Sequence, residues 1–240
     1  MAERASVAAR GPQGPAPADR ERSRDRILTA ALEEFAARGF DGTTTSEVAR
    51  RAGVTQPLVH YHFSTKDQLW REALTPVLDD LVTTFGGAER ELADVDPIGR
   101  LKVVVRRFVR FSAAHPEFGR ILSYEGAVGG PRLEWILAQD ASRTLAAFAT
   151  LLAEGIADGW AKPLPLAHVG TCLAAASAYA FIAHETMRVA YGIDVTDPAV
   201  VDTHADTVVE LFFHGLVATP PAPGGETGRP AVLLEEAHRA

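Results

Sequence analysis

The chain lacks the features that mark most enzymes and membrane proteins. Its 240 residues include one cysteine, Cys172, so no disulfide can close within the chain, which fits a reducing cytoplasm. Apolar stretches are interrupted by charge, glycine or proline before reaching the ~20 residues that a membrane span requires. Residues Met1 to Asp19 lack the apolar centre of a secretory signal. There is no glycine-rich phosphate loop and no Gly-x-Ser-x-Gly elbow. His168 and the His184-Glu185 pair lack the His-x-x-x-His or Cys-x-x-Cys spacing of a metal site on a helix. The sequence therefore offers no basis for an enzyme and implies no cofactor or metal. The alternation of apolar and polar residues that marks a strand is also missing.

What is present is helical periodicity. Ile27, Leu28, Ala31, Leu32, Phe35 and Ala36 share one face of a first helix that Gly39 closes. Short helices are expected near 45–52 and 56–62, then a longer one from 66 to 85 ended by Gly86-Gly87. Others are expected near 98–114, 117–124, 132–157, 165–190 and 198–217. Pro97, Pro116, Pro131, Pro163, Pro165 and Pro198 fall at or near these starts, where a missing N–H does no harm. The class is all-α, with about nine helices. Residues 1–20, rich in Ala, Gly, Pro and Arg, are expected to be disordered, and residues 219–240, where Pro-Pro-Ala-Pro-Gly-Gly follows Thr219, to be flexible.

Charge is unevenly shared. The net value is −7, yet residues 1–71 carry 11 Lys plus Arg against 9 Asp plus Glu, while the rest carries 13 against 22. A slightly basic head on an acidic body suits local contact with DNA and repulsion elsewhere.

The informative stretch runs from Thr43 to Lys66. Thr44 with Glu47 forms a capping box that starts one short helix. Gly53 supplies the positive φ of a tight turn. Thr55 N-caps a second short helix with Pro57 in its first turn. Val48, Ala49, Val54, Leu58 and Phe63 make the apolar side, and Ser64 with Asp67 caps the next helix. Two short helices around a glycine turn form the unit whose second helix enters the major groove. Its outward face carries Thr55, Gln56, Pro57, His60, Tyr61 and His62, where an idle solvated face would carry Lys, Glu and Asp. Gln56 can read an adenine edge, and Pro57 or the Thr55 methyl can touch a thymine methyl. Thr44, Thr45, Ser46, Tyr61, His62 and Lys66 suit phosphate oxygens of the duplex. Arg20, Arg22, Arg24 and Arg26 offer a candidate minor-groove arm.

From about Arg22 to Leu69 the sequence resembles the DNA-binding domain of the TetR/AcrR family. The resemblance rests on Thr43-Thr44, Ala52-Gly53-Val54, Tyr61-His62-Phe63 and Ser64-Thr65-Lys66, and departs from it at Pro57, where many members have glycine. It implies a three-helix helix-turn-helix head over residues 21–68 and a helical ligand-binding and dimerisation body over 69–218. It further implies operator DNA, a small-molecule effector and a homodimer through the last two long helices. The alternative reading is a helical ligand-binding or interaction protein that does not read DNA.

The body partly supports this unaided. The segment from Thr171 to Ala183 has almost no polar side, so a helix there should be buried all round, with Cys172 as a small buried hydrophobe. Val201, Ala205, Val208, Phe212 and Leu216, widened by Val209, Phe213 and Val217, form a stripe expected at a subunit interface. Phe108, Phe111, Tyr124, Trp135, Phe148, Phe181, His184 and Met187 are candidate ligand contacts, being large apolar groups with a few polar handles.

Overall fold

A computed structural model describes residues 17–86, 91–139 and 141–214, with the side chains of 17, 18, 141–147 and 214 excepted. Among the described residues there are eleven helices and no strand: α1 (Pro17–Gly42), α2 (Thr45–Ala52), α3 (Gln56–His62), α4 (Lys66–Phe85), α5 (Pro97–Ala114), α6 (Pro116–Val128), α7 (Pro131–Leu137), α8 (Ala141–Ala157), α9 (Leu166–Ile182), α10 (His184–Tyr191) and α11 (Pro198–His214). Residues 1–16 of the tail expected over 1–20, the tail expected over 219–240, and Gly87, Leu216 and Val217 lie outside the described residues.

Two expected helices are each broken in two. The run expected over 132–157 stops at Leu137 because the Gln139 side chain donates to the Trp135 carbonyl (2.8 Å) and the Gln139 N–H turns back to Ile136 (3.2 Å). The run expected over 165–190 breaks at Ala183 (φ −100°, ψ 38°), and the two parts meet at a 70° bend. Here Arg120 of α6 takes the Ile182 carbonyl (3.3 Å), and Gly119 lies so close that a Cβ there would meet Ile182 at 2.8 Å. No single helix among the described residues is long and apolar enough to cross a membrane.

At the other end, α1 begins at Pro17, inside the segment expected to be disordered. Gly39 (φ 71°) does break its helical path, but the chain makes a further turn to Gly42 before α2. Thr43, buried, ties that turn down by donating to the carbonyls of Gly39 (2.8 Å) and Glu34 (3.1 Å).

The core has two parts. One is built on Ile27, Phe35, Val48, Val59, Phe63, Leu69, Trp70 and Leu74, and continues into Phe111, Phe118, Ile121 and Ile136 of α5, α6 and α7. The head therefore has no core of its own that ends at residue 68. The other part joins Val105 and Val109 of α5 to Leu173 and Phe181 of α9 and to Ala205, Val208 and Val209 of α11. The stripe expected to form a subunit interface is thus largely consumed inside the protomer, facing α5. Nor is α9 buried all round. Cys172, Ala175 and Tyr179 (64% exposed) lie on an open face, so Cys172 is not the buried residue expected.

Candidate nucleic-acid interface

Local chemistry fixes the two short helices. Thr44 Oγ1 accepts from the Glu47 N–H (3.2 Å), and Glu47 Oε2 accepts from the Thr44 N–H (3.1 Å), which completes the capping box. The Thr44 hydroxyl and amide, followed by Arg38, hold the Glu47 carboxyl below its ordinary value. We expect Thr44→Ala to cost about 1 kcal/mol of stability in urea denaturation, and a change within error would show that the cap is redundant. Gly53 takes the left-handed turn (φ 64°), and its N–H reaches the carbonyls of Ala49 and Arg50. Thr55 occupies the N-cap of α3 but makes no side-chain capping bond. The next cap falls one residue later than expected. Thr65, not Ser64, accepts from the Gln68 N–H (3.0 Å), and Gln68 Oε1 accepts from the Ser64 N–H (3.0 Å). On α3 the fully buried residue is Val59, while Leu58 is only half-buried.

A buried carboxylate holds α1 against α2, and nothing in the apolar periodicity announced it. Glu34, fully buried, pairs with Arg51 (2.7 Å) and Arg38 (3.1 Å), while Arg51 also reaches Glu33 (2.7 Å) and Arg38 reaches Glu47. These charges fix the angle between the helices, so α3 is carried on a rigid support.

Of the six residues expected to face outward, five are exposed and His62 is half-buried. Thr44, Ser46, Thr55, Gln56, Pro57, His60 and Tyr61 (67%) are exposed, and Thr45 and His62 are half-buried. Three of these side chains are bonded to one another. Gln56 Nε2 donates to Thr45 Oγ1 (3.3 Å) and lies 3.4 Å from His60 Nε2, which is itself 3.4 Å from Thr45 Oγ1. The amide that can read a base is thereby held in one orientation between α2 and α3. Tyr61 meets the His62 ring edge-on (centroids 5.3 Å apart).

Two residues do other work. His62 Nε2 contacts Ser23 Oγ of α1 (3.2 Å). Burial, then the charges of Arg24 and Arg20, hold its imidazole below the ordinary value, so it is neutral at physiological pH. Lys66 donates its ammonium to the carbonyls of Phe40 (2.9 Å) and Thr43 (3.1 Å) and sits 4.3 Å from the Phe40 ring centroid. It pins the start of α4 to the end of α1. Arg20, Arg22, Arg24 and Arg26 lie within a helix, which corrects the expectation of an arm, since a chain threading the minor groove must be extended. Arg24 instead pairs with Glu72 (2.5 Å).

The eight candidate ligand contacts are dispersed. Phe111 and Trp135 belong to the core that includes the head. Phe148, Phe181 and Met187 belong to the core of the body. Phe108 packs toward Phe85 (centroids 6.3 Å). Tyr124 is exposed, its ring laid against Gly39, and His184 Nδ1 takes a bond from Arg120 (2.8 Å). Tyr124 and Trp135 are thus part of the junction between head and body, where Trp135 meets Trp70 edge-on (5.4 Å) and Arg132 stands 4.1 Å above Phe40. Phe40 is consequently flanked by two cations, one from each side of the junction.

Comparison with known proteins agrees with this geometry. Residues 27–73 match the model for bacterial regulatory proteins of the tetR family, and residues 97–212 match the tetracyclin repressor-like C-terminal domain. The HTH-type transcriptional regulator RutR of Escherichia coli (strain K12) is 25% identical over 191 residues, covering 79% of this chain and 88% of RutR. The probable transcriptional regulatory protein RHA5900 shares the fold with a TM-score of 0.65 at 21% identity, over 82% of this chain and all of that one. FadR from Bacillus subtilis, solved in complex with stearoyl-CoA, shares it with a TM-score of 0.56 at 16% identity, over 80% and 99%. The helix pair that presents Gln56 and the body below it are each matched within their own segment, and the chain belongs to the TetR family of helix-turn-helix transcriptional regulators.

Proposed function

We propose that the protein is a homodimeric repressor, released from a pseudo-palindromic operator by a small, largely hydrophobic molecule. The observation that carries the reading is the linkage of Thr45 on α2 to the exposed Gln56 and His60 on α3. Polar groups held in one orientation on a short helix are suited to matching base edges in the major groove. A dimer would present two such helices one turn of duplex apart. Its support is the open face of α9 with Cys172, Ala175 and Tyr179, together with Leu211 (42% exposed) on α11. Small side chains beside a tyrosine allow the helices of a second copy to approach closely. The dimer thus uses the same two helices expected from the sequence but a different face of α11.

Effector and operator oppose each other through one coupling energy, on the order of 1–3 kcal/mol. The body reaches the head through α4 and through the Tyr124, Arg132 and Trp135 contacts, so a ligand favouring a different tilt of α4 would move the two heads apart. FadR, a protein of this fold, was solved in complex with stearoyl-CoA, whose acyl chain is apolar.

The test begins with selection of bound duplexes from a random pool. Gln56→Ala and Tyr61→Ala should each weaken binding to the selected duplex by about 1–3 kcal/mol for every bond to the DNA that the substitution removes. Gln56→Ala should also relax preference at one base position, with unfolding curves unchanged. If the wild-type chain ignores duplex DNA at low salt, the regulator reading fails.

A further inference from the structure

The head contains more helix than the family's DNA-binding segment accounts for. The match begins at residue 27, whereas α1 begins at Pro17, so nearly three extra turns precede it. These turns are fastened to the end of the recognition helix. Ser23, buried, donates its hydroxyl to the Arg20 carbonyl (2.7 Å), leaving the oxygen to accept from His62 Nε2 (3.2 Å). One residue on, Arg24 pairs with Glu72 of α4 (2.5 Å) and lies 5.7 Å from the Phe63 ring centroid. The extension is therefore held at both α3 and α4.

Arg20 lies one turn before Arg24 on the same ridge of α1. Both guanidinium groups are close enough to His62 to depress its pKa. Their situations differ in one respect. The charge of Arg24 is opposed by Glu72, whereas Arg20 is exposed and no carboxylate among the described residues pairs with it. The other arginines near it serve differently. Arg22 faces Asp19 (3.8 Å), and Arg26 lies on the side of α1 turned away from Arg24. Tyr61, already placed on the outward face, lies on the other side of His62 (5.3 Å between rings).

We propose that Arg20 binds a backbone phosphate of duplex DNA, extending the contact surface from α3 across His62 onto the added turns of α1. The inference rests on the DNA-binding reading above and adds to it an element outside the family's matched segment. A guanidinium offers paired donors that fit two phosphate oxygens, and it contributes affinity without reading sequence. Ser23 and Arg24 act as positioning residues, because they hold the turn from which Arg20 projects.

The experiment measures binding of the full chain to its selected duplex between ~50 and ~200 mM salt, for wild type, Arg20→Ala, Arg20→Lys and Arg26→Ala. Removing one cation from a phosphate takes about 0.9 off the slope of log affinity against log salt. The advantage of wild type over Arg20→Ala should therefore shrink about threefold per protomer across that range. Arg20→Lys, which keeps the charge, and Arg26→Ala should keep the wild-type slope. An unchanged slope for Arg20→Ala overturns the inference and leaves the DNA-binding reading standing. So does a loss confined to one base position, or an equal loss for Arg26→Ala. A wild-type chain that binds no duplex takes both down together.

Discussion

Trp70→Ala is expected to cost about 3–5 kcal/mol of folding stability, the largest effect of any single truncation in the core. Trp70 is fully buried and is the largest such side chain among the described residues. Its ring meets Phe40 of α1 (6.4 Å) on one side and Trp135 of α7 (5.4 Å) on the other, so it is shared between head and body. Alanine would leave a cavity bounded by three helices that the remaining contacts hold apart, which is the situation in which relaxation recovers least. The indole N–H has no acceptor among the described residues. Trp70→Phe, which removes that unpaired donor while keeping a ring, should accordingly cost clearly less. Urea denaturation followed by circular dichroism reads both. Because one core spans the junction, wild type should unfold in a single transition. A Trp70→Ala loss below ~1 kcal/mol, or a separate early transition of the head, would refute the shared core.

Arg132→Ala should be comparably damaging, by about 3–5 kcal/mol, through a different cause. Glu125 is 1% exposed; one oxygen takes the Arg132 guanidinium (2.9 Å), and the other has no partner among the described residues. Removing the cation strands a carboxylate in the interior, and it also takes away the group above Phe40. The energy at stake is the cost of an uncompensated buried charge, not the worth of the pair. The double variant Arg132→Met with Glu125→Leu should therefore be more stable than Arg132→Ala alone, since both charges are gone. If the double variant is no better, the side chain of Arg132 matters only for its packing.

The helix-turn-helix pair, though neither end of α1, was legible in the sequence to nearly single-residue accuracy, for a physical reason. Its boundaries are set by short-range chemistry: Thr44 with Glu47, Gly53 at positive φ, and Pro57 in a first turn. Each of these acts within four residues. The cap of α4 was misplaced from Thr65 to Ser64 because both are hydroxyl residues, and only geometry chooses between them. The breaks at Ala138 and Ala183 were hidden because neither involves glycine or proline. Side chains impose them, Gln139 locally and Arg120 from a helix distant in sequence. Apolar stripes told neither what covers a surface nor, on α9, whether it is covered: Ala205 and Val208 pack with Val105 and Val109 of α5 within the protomer, while Cys172, Ala175 and Tyr179 of α9 stand open. The polar groups of the outward face were identified by type. Their mutual bonds, and the attachment of Ser23 to His62, depend on tertiary placement and left no local trace.

The linkage of Thr45, Gln56 and His60 bears on how selective this surface can be. Freely rotating long side chains give up as much as ~1.5–2 kcal/mol of rotamer entropy each when they are immobilised. Side chains that already restrain one another surrender less, so docking starts from an ordered template. That order also penalises error. Engaging a base edge requires Gln56 to exchange an internal partner for an external one. A duplex presenting the wrong pattern leaves the amide with neither, and discrimination then arises as much from bonds broken without replacement as from bonds gained.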